Sequence, residues 1–277
     1  RGMVRDEQRA NALFERAVPI LRRLVERNDA NAMSWLGDLY ANGWAVGKDL
    51  RETARLYKMS AERGAAYAMV DYGFALFNGR GVEKNPTEAM QWFRRAMERG
   101  HAGGMVGIGL LHDEGKGVKQ DSKEAVAWYR KAAELDNADA MNSLGYMYDN
   151  GRGVTKNATE AASWYRRAVQ RGNASAMNNL ANLTENGRGV KQDLAEAARL
   201  YQRGAERGDE HAMVNLGLLY ERGRGVQTSY AQAMQWYRRA AEAGNAVGMH
   251  NIAVLYENGR GVAKDCAAAL DWFRKAA

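Results

Sequence analysis

A strict period of 36 residues constrains this chain more than any other feature of its sequence. Three kinds of residue mark the period, and each recurs seven times without an insertion or deletion from residue 29 to the end. Seven units in fixed register are typical of a repeat array, in which each unit packs mainly on its neighbours. The period therefore predicts one elongated array, although 277 residues would be long enough for two globular domains. The recurring residues are a methionine (Met33, Met69, Met105, Met141, Met177, Met213, Met249), a glycine (Gly43, Gly79, Gly115, Gly151, Gly187, Gly223, Gly259) and an aromatic residue (Tyr57, Phe93, Tyr129, Tyr165, Tyr201, Tyr237, Phe273).

Each unit is predicted to form two helices. In residues 137–172, Ala140, Met141, Leu144 and Tyr148 recur at steps of three and four, which places them on one face of a first helix. The glycine that follows favours the left-handed backbone that ends a helix. A second helix is predicted to begin at an N-cap, and a Glu or Gln three residues later completes a capping box in six of the seven units. The N-cap column consists of Asp49, Asn85, Asp121, Asn157, Asp193, Ser229 and Asp265.

The recurring pattern A-x3-LG-x2-Y-x2-G-x-GV-x2-D-x3-A-x2-WY-x3-A-x3-G resembles the Sel-one-like repeat, a bacterial-type relative of the tetratricopeptide repeat. The resemblance covers about residues 29–277. It implies an all-α fold, a right-handed α-solenoid that holds other proteins. Members of the family are described as adaptors in assembly, signalling and host–microbe contact rather than as catalysts. Several bacterial relatives carry a disulfide in each unit, and this chain departs from them because Cys266 is its single cysteine.

The register divides the chain into an N-terminal segment and seven repeats. Residues 1–28 are interpreted as a capping helix or as the connector from an upstream domain, and Pro19 is expected to kink or split that helix. The last repeat carries the aromatic pair Trp272 and Phe273 but no closing glycine. We therefore expect a fragment whose exposed last helix is covered by further sequence or by self-association. The repeats are 29–64, 65–100, 101–136, 137–172, 173–208, 209–244 and 245–277.

The basic charge of the chain, +7 overall, lies largely in pairs of cations on the second helices. Such a comb of cations is one way to follow a nucleic-acid backbone. However, glutamates lie near these pairs at spacings that allow ion pairs, and no free aromatic residues are interleaved on that face. The pattern therefore favours a solvated outer face and disfavours a nucleic-acid partner. The pairs are Arg94-Arg95, Arg130-Lys131, Arg166-Arg167, Arg238-Arg239 and Arg274-Lys275.

The compartment stays open between the bacterial cytoplasm and the periplasm. The chain contains no run of about 18 apolar residues, so membrane insertion is not predicted. Its first residues also lack the pattern of a signal peptide.

No residue pattern predicts catalysis, a cofactor or a metal. The Gly-Arg-Gly-Val loops are similar to phosphate loops, but the helix end that would receive a phosphate already carries an Asp or Asn cap. The four histidines, at positions 101, 112, 211 and 250, lack metal-site spacing. No nucleophile and base are evident, so the chain is predicted not to be an enzyme. The tryptophan and methionine columns are interpreted as core.

Function is expected on the first helices, which line the concave side of tetratricopeptide arrays. Three rows of positions outside the predicted core lie there, one rich in amides, one apolar and one acidic. Such a surface suits an extended or helical peptide that carries Lys or Arg. The alternative is that these residues complete the packing between first helices. The predicted partner-binding residues are Phe74, Phe77, Leu110, Asp113, Asn142, Tyr146, Asp149, Asn178, Asn182, Glu185, Leu218, Glu221, His250 and Glu257.

Two classes of function remain at this point. The sequence favours a non-catalytic scaffold or adaptor that binds a peptide or a partner protein in the groove. The alternative is a regulatory or substrate-recruiting repeat region of a larger multidomain enzyme.

Overall fold

The computed structural model describes the backbone of residues 2–277 and the side chains of residues 10–277. This part of the chain forms fifteen α-helices and contains no β-strand, so the predicted all-α solenoid class of helix-turn-helix repeats is confirmed. The helices are α1 (Gly2–Glu26), α2 (Ala30–Asn42), α3 (Leu50–Glu62), α4 (Ala66–Asn78), α5 (Pro86–Glu98), α6 (Ala102–Glu114), α7 (Ser122–Glu134), α8 (Ala138–Asn150), α9 (Ala158–Gln170), α10 (Ala174–Asn186), α11 (Leu194–Glu206), α12 (Glu210–Arg222), α13 (Tyr230–Glu242), α14 (Ala246–Asn258) and α15 (Cys266–Ala276).

The even-numbered helices are the first helices of the repeats, and the odd-numbered helices from α3 onward are the second helices. First helices end on a left-handed glycine, for example Gly187 with φ 66°. Every second helix begins at its predicted N-cap residue, whose side chain accepts a hydrogen bond from the first turn. Each such cap stabilises its helix by about 1 kcal/mol.

The second hydrogen bond of the predicted capping box does not form, so this part of the prediction is wrong. In that motif the Glu side chain would accept a hydrogen bond from the backbone N–H of the N-cap residue. Instead this N–H donates to a backbone carbonyl near the end of the first helix, as from Asp193 to Thr184 (3.1 Å) and from Ser229 to Tyr220 (2.8 Å). The same bond recurs in all seven repeats and fixes the loop between the two helices.

Glycines let the two helices of a repeat approach closely. A Cβ atom at Gly145 would lie 2.4 Å from Cε1 of Tyr165, and one at Gly217 would lie 2.4 Å from Cε1 of Tyr237. Both tyrosines are buried, so each aromatic ring packs directly against first-helix backbone. The methionine column is buried at five of its seven positions, while Met105 and Met249 are half-buried.

The N-terminal helix α1 runs through Pro19 without a break, so the predicted split is wrong. A proline costs a helix one hydrogen bond and some strain. Here that cost is offset because Val18 and Leu21, on either side of the proline, pack into a core with Met33 and Leu36.

The chain divides into two compact units, residues 1–137 and residues 138–277. In each unit every helix contacts the next one along the chain. First helices of successive repeats also touch, α4 with α6 in the first unit, and α10 with α12 and α12 with α14 in the second. Within the described part of the chain, no helix combines the length and apolar character that a membrane crossing requires.

Candidate interaction surface on the first helices

The predicted partner-binding residues differ widely in exposure. Tyr146, His250 and Glu257 are exposed, and Phe77 and Asp113 are buried. The other nine are half-buried, which is the state expected of side chains that line a shallow surface between helices. They are Phe74, Leu110, Asn142, Asp149, Asn178, Asn182, Glu185, Leu218 and Glu221.

Phe77 and Asp113 belong to the interior of the first unit. Phe77 is 4% exposed, and the Nζ atom of Lys116 lies 4.4 Å from the centre of its ring. Asp113 is 6% exposed and accepts a hydrogen bond from Ser122 Oγ at 3.0 Å. Neither side chain therefore belongs to the exposed surface of the first helices.

The acidic row of residues 138–277 is paired with arginines of the same unit. Each arginine comes from the loop of the following repeat, 39 residues further along the chain, so the pairs join neighbouring repeats. The pairs are Asp149 with Arg188 (3.0 Å), Glu185 with Arg224 (2.7 Å) and Glu221 with Arg260 (3.3 Å). The three carboxylates are only 13% to 17% exposed, so most of their charge is balanced inside the protein.

Buried tyrosines complete two of these pairs. Tyr201 Oη donates to Glu185 at 2.9 Å, and Tyr237 Oη donates to Glu221 at 2.9 Å. Burial, followed by the nearby glutamate, raises the pKa of each tyrosine well above its usual value. Both hydroxyls therefore stay protonated at physiological pH and keep their carboxylates in place.

Glu257 departs from this arrangement. The aromatic residue of its own repeat is Phe273, which has no hydroxyl to donate. The side chain of Glu257 is exposed.

A network of asparagine amides runs along the first helices of the second unit. Asn179 Nδ2 donates to Asn142 Oδ1 at 3.0 Å, and Asn215 Nδ2 donates to Asn178 Oδ1 at 2.9 Å. A longer contact of 3.4 Å joins Asn178 to Asn179. The network therefore crosses α8, α10 and α12 and leaves further amide donors and acceptors at a half-buried surface.

The network stops at Asn251. Its Nδ2 atom is buried and has no hydrogen-bond partner among the described residues. The two bonds above join residues 37 apart, and the residue 37 positions before Asn251 is Val214, whose side chain cannot accept a hydrogen bond. The same sequence spacing thus produces a hydrogen bond in two repeats and an unsatisfied amide in the third.

We predict opposite consequences for two matched substitutions in this network. Asn215→Ala should lower the free energy of unfolding by about 1 kcal/mol, because Asn178 Oδ1 loses its donor. Asn251→Ala should leave it unchanged within about 0.5 kcal/mol or raise it, because the removed amide group has no partner. Urea denaturation followed by circular dichroism measures both. An equal loss for the two variants would contradict this description of the network.

The outer face of the second helices is partly occupied by cation–π contacts. In five repeats, the second cation of the predicted pair lies 4.2 to 4.7 Å from the ring centre of the tryptophan three residues earlier. Apart from buried Trp92, these tryptophans are half-buried, so their interpretation as core holds only in part. One cation of each pair is thus held against its own helix. The pairs are Arg95 with Trp92, Lys131 with Trp128, Arg167 with Trp164, Arg239 with Trp236 and Lys275 with Trp272.

Sequence reasoning missed two parts of this surface. It identified Asn142 and Asn178 but not the hydrogen bonds that join them to Asn179 and Asn215, and it identified the acidic row but not the loop arginines that neutralise it. Both partners recur at the 36-residue period, so the columns themselves were visible. The contacts, however, lie at spacings of 37 and 39 residues and depend on how neighbouring repeats pack.

In the described part of the chain, no group of three or more His, Cys, Asp or Glu side chains is placed to hold a metal ion.

The paired helices, their caps and the contacts between successive first helices define an α-helical repeat protein with a solenoid fold. The family profile of the Sel1 repeat matches residues 1–18, 30–64, 66–101, 102–137, 138–173, 174–209, 210–245 and 246–277. The chain belongs to the Sel1 repeat family. Proteins built from this repeat are generally protein-interaction scaffolds, and the fold is not typically catalytic.

Solved structures of similar proteins agree with this assignment. A Sel1 repeat protein from Oxalobacter formigenes is 32% identical, with a TM-score of 0.68 over 88% of this chain and 96% of that one. A protective antigen present in uropathogenic Escherichia coli strains, which displays an SLR fold, is 36% identical with a TM-score of 0.59. That match covers 94% of this chain, which spans 56% of the length of the antigen. An immunity protein from Pseudomonas aeruginosa, 20% identical, shares the fold with a TM-score of 0.62 over 77% of this chain and 81% of that one. No curated protein matches.

Proposed function

We propose that the protein is a non-catalytic scaffold that binds an extended segment of a partner protein on the first helices of residues 138–277. The observation that carries the proposal is the asparagine network on this face. A primary amide offers both donors and acceptors, and a peptide backbone presents the same two groups in alternation. A row of amides therefore suits main-chain recognition of an extended segment.

Apolar side chains beside the amides supply the second part of a peptide-binding surface. Tyr146 is 45% exposed on α8, and Leu218 and Val254 are half-buried at the same register on α12 and α14. Aromatic residues next to polar anchors are enriched where interfaces derive most of their affinity. In this proposal Tyr146 and Leu218 contact side chains of the bound segment, while Asn178 and Asn182 contact its backbone.

The charges on this face narrow the kind of segment that fits. Asp149, Glu185 and Glu221 already pair with arginines, so they offer little net attraction to a basic partner. We therefore propose a mainly uncharged segment.

A peptide-display selection tests this proposal without knowledge of the natural partner. Random linear peptides are selected on the protein, and the dissociation constant of the best binders is measured for the wild type and for Tyr146→Ala. We expect the variant to bind at least tenfold more weakly, about 1.4 kcal/mol, because the exposed ring contributes directly to the interface.

Leu135→Ala is the matched control for this experiment. Leu135 is 54% exposed, similar to Tyr146, but it is the C-cap residue of the second helix α7. The control should bind the selected peptides as the wild type does. Selected peptides that lose affinity with Leu135→Ala and not with Tyr146→Ala would place the binding surface elsewhere.

A further inference from the structure

The first repeat lacks the acidic residue with which the fourth, fifth and sixth repeats pair with an arginine of the next repeat. At the register of Asp149, Glu185 and Glu221 the first repeat has Ala41. The arginine that corresponds to Arg188, Arg224 and Arg260 is still present as Arg80. Among the described residues, the Arg80 side chain makes no ion pair and no hydrogen bond. The cationic half of the pair between repeats is therefore present without its anionic half.

A cavity of about 540 Å³ lies at this position in the first unit. Its volume is within the range of small-molecule sites, which is roughly 300 to 1,000 Å³. Helices α2 and α4 and the loops that follow them supply most of its wall, together with the beginning of α3. The lining residues used here are Ala41, Lys48, Tyr57, Asp71, Phe74 and Arg80.

The cavity presents charges of both signs. Arg80 and Lys48 are exposed at its edge, and Asp71 is half-buried in its wall. In the part of the chain that the structure describes, none of these three side chains forms an ion pair, so the cations and the carboxylate are not neutralising each other directly.

A second carboxylate, that of Asp38, lies close enough to Asp71 to affect its charge. Tyr57 Oη donates to Asp38 Oδ1 at 2.6 Å, so this tyrosine is already engaged. Burial, and then the charge of Asp38, raises the pKa of Asp71 to about 6. Asp71 thus carries a carboxylate whose charge lacks a compensating cation, and the aromatic ring of Phe74 lines the same space.

We propose that this cavity binds a small amino carboxylate, a compound with one ammonium and one carboxylate group. The ligand carboxylate takes the place of the side-chain carboxylate that Ala41 lacks and pairs with Arg80, as Glu185 pairs with Arg224 in a later repeat. The ligand ammonium pairs with Asp71 next to the ring of Phe74. The site is separate from the peptide surface proposed for residues 138–277, and neither proposal depends on the other.

Isothermal titration calorimetry with a matched panel tests the ligand class. Glycine, 4-aminobutanoate and 6-aminohexanoate each carry one ammonium and one carboxylate group at different separations, whereas hexanoate and hexylamine carry one group each. We expect at least one amino carboxylate to bind tenfold or more tightly than both single-group compounds. Equal binding of hexanoate or hexylamine, or no binding by any amino carboxylate, would overturn the proposal.

Three variants test the assigned residues, and a fourth is the control. Ala41→Glu restores the residue type of the later repeats and should abolish binding, because its carboxylate occupies the cavity and pairs with Arg80. Asp71→Asn should reduce the affinity of the amino carboxylate to that of hexanoate, and Arg80→Gln should reduce it to that of hexylamine. Arg188→Gln removes an arginine at the same register in another repeat and should leave binding unchanged. Wild-type affinity in the Ala41→Glu variant, with circular dichroism showing a folded protein, would contradict the proposed position of the ligand.

Discussion

Gly189→Ala is expected to lower the free energy of unfolding by about 3 kcal/mol or more. Gly189 has φ +67°, a backbone conformation that costs a residue with a side chain about 1 to 2 kcal/mol. An added Cβ would also lie 2.2 Å from the carbonyl carbon of Ala158 and 2.4 Å from the backbone N of Thr159. Both atoms belong to the first turn of α9, so the loop of one repeat could not stay pressed against the second helix of the preceding repeat. Urea denaturation followed by circular dichroism measures the loss.

Gly172→Ala is the matched control. Gly172 also has a positive φ, +84°, but an added Cβ there would meet no atom within 4 Å. We expect this variant to lose only about 1 kcal/mol, the cost of the backbone conformation alone. Equal losses in the two variants would show that the contact between the loop and α9 does not matter. At the register of Gly189, the first repeat has Ala45 with φ 55°. An alanine is therefore accommodated in the loop between α2 and α3, which is the first of the seven repeat loops.

Asp71→Asn is expected to stabilise the protein at neutral pH by about 2 kcal/mol. The pKa of Asp71 is raised from 3.8 to about 6 by burial and by Asp38. Because the folded state holds this proton up to about pH 6 and the unfolded state releases it near pH 4, stability falls as pH rises between these values. Above that range the full destabilisation remains. Asparagine keeps the shape of the side chain without its charge. Later repeats have asparagine at the register of Asp71, as Asn179, Asn215 and Asn251.

The pH dependence of this effect is the decisive readout. The stability difference between Asp71→Asn and the wild type should be close to zero at about pH 4 and reach its full value above about pH 6. Asp271→Asn serves as the control, because its side chain is 69% exposed and its ion pair to Arg274 is long, at 3.7 Å. That variant should change stability by less than about 0.5 kcal/mol. If the stability difference between Asp71→Asn and the wild type did not depend on pH, ionisation of the Asp71 carboxyl would not be the cause of the destabilisation.

Features that lie within one repeat could be predicted from the sequence. Helical spacing, the N-cap column and the helix-ending glycines are local, and the structure confirms them in every second helix and in the glycines that end the first helices. The reciprocal capping bond was also a local prediction, yet it is wrong. Its backbone donor is used by a carbonyl nine residues earlier, and only the path of the loop makes that carbonyl available.

Features that join two repeats could not be predicted from the sequence. Asp149 and Glu185 looked like free carboxylates because their arginine partners belong to the next loop rather than to the same helix. Phe77 occupies the same register, and it is buried because the first unit fills that space with an aromatic ring and Lys116. The positions of the acidic row thus form an ion pair in some repeats, a cation–π contact in the second repeat and part of a cavity wall in the first. The residue type at one position does not predict which of these arrangements a repeat adopts.

The central claim, that a partner segment binds the amide-rich first helices of residues 138–277, is tested most directly by one comparison of dissociation constants. A peptide selected on the wild type is titrated against Asn178→Ala/Asn182→Ala and against the outer-face variant Arg166→Glu/Arg167→Glu, with circular dichroism showing that both remain folded. The amide variant should bind at least tenfold more weakly, because it removes side chains that contact the peptide backbone. The outer-face variant should bind within about twofold of the wild type once salt screens long-range charge effects. Full affinity in the amide variant would contradict the account, whatever the outer-face variant does.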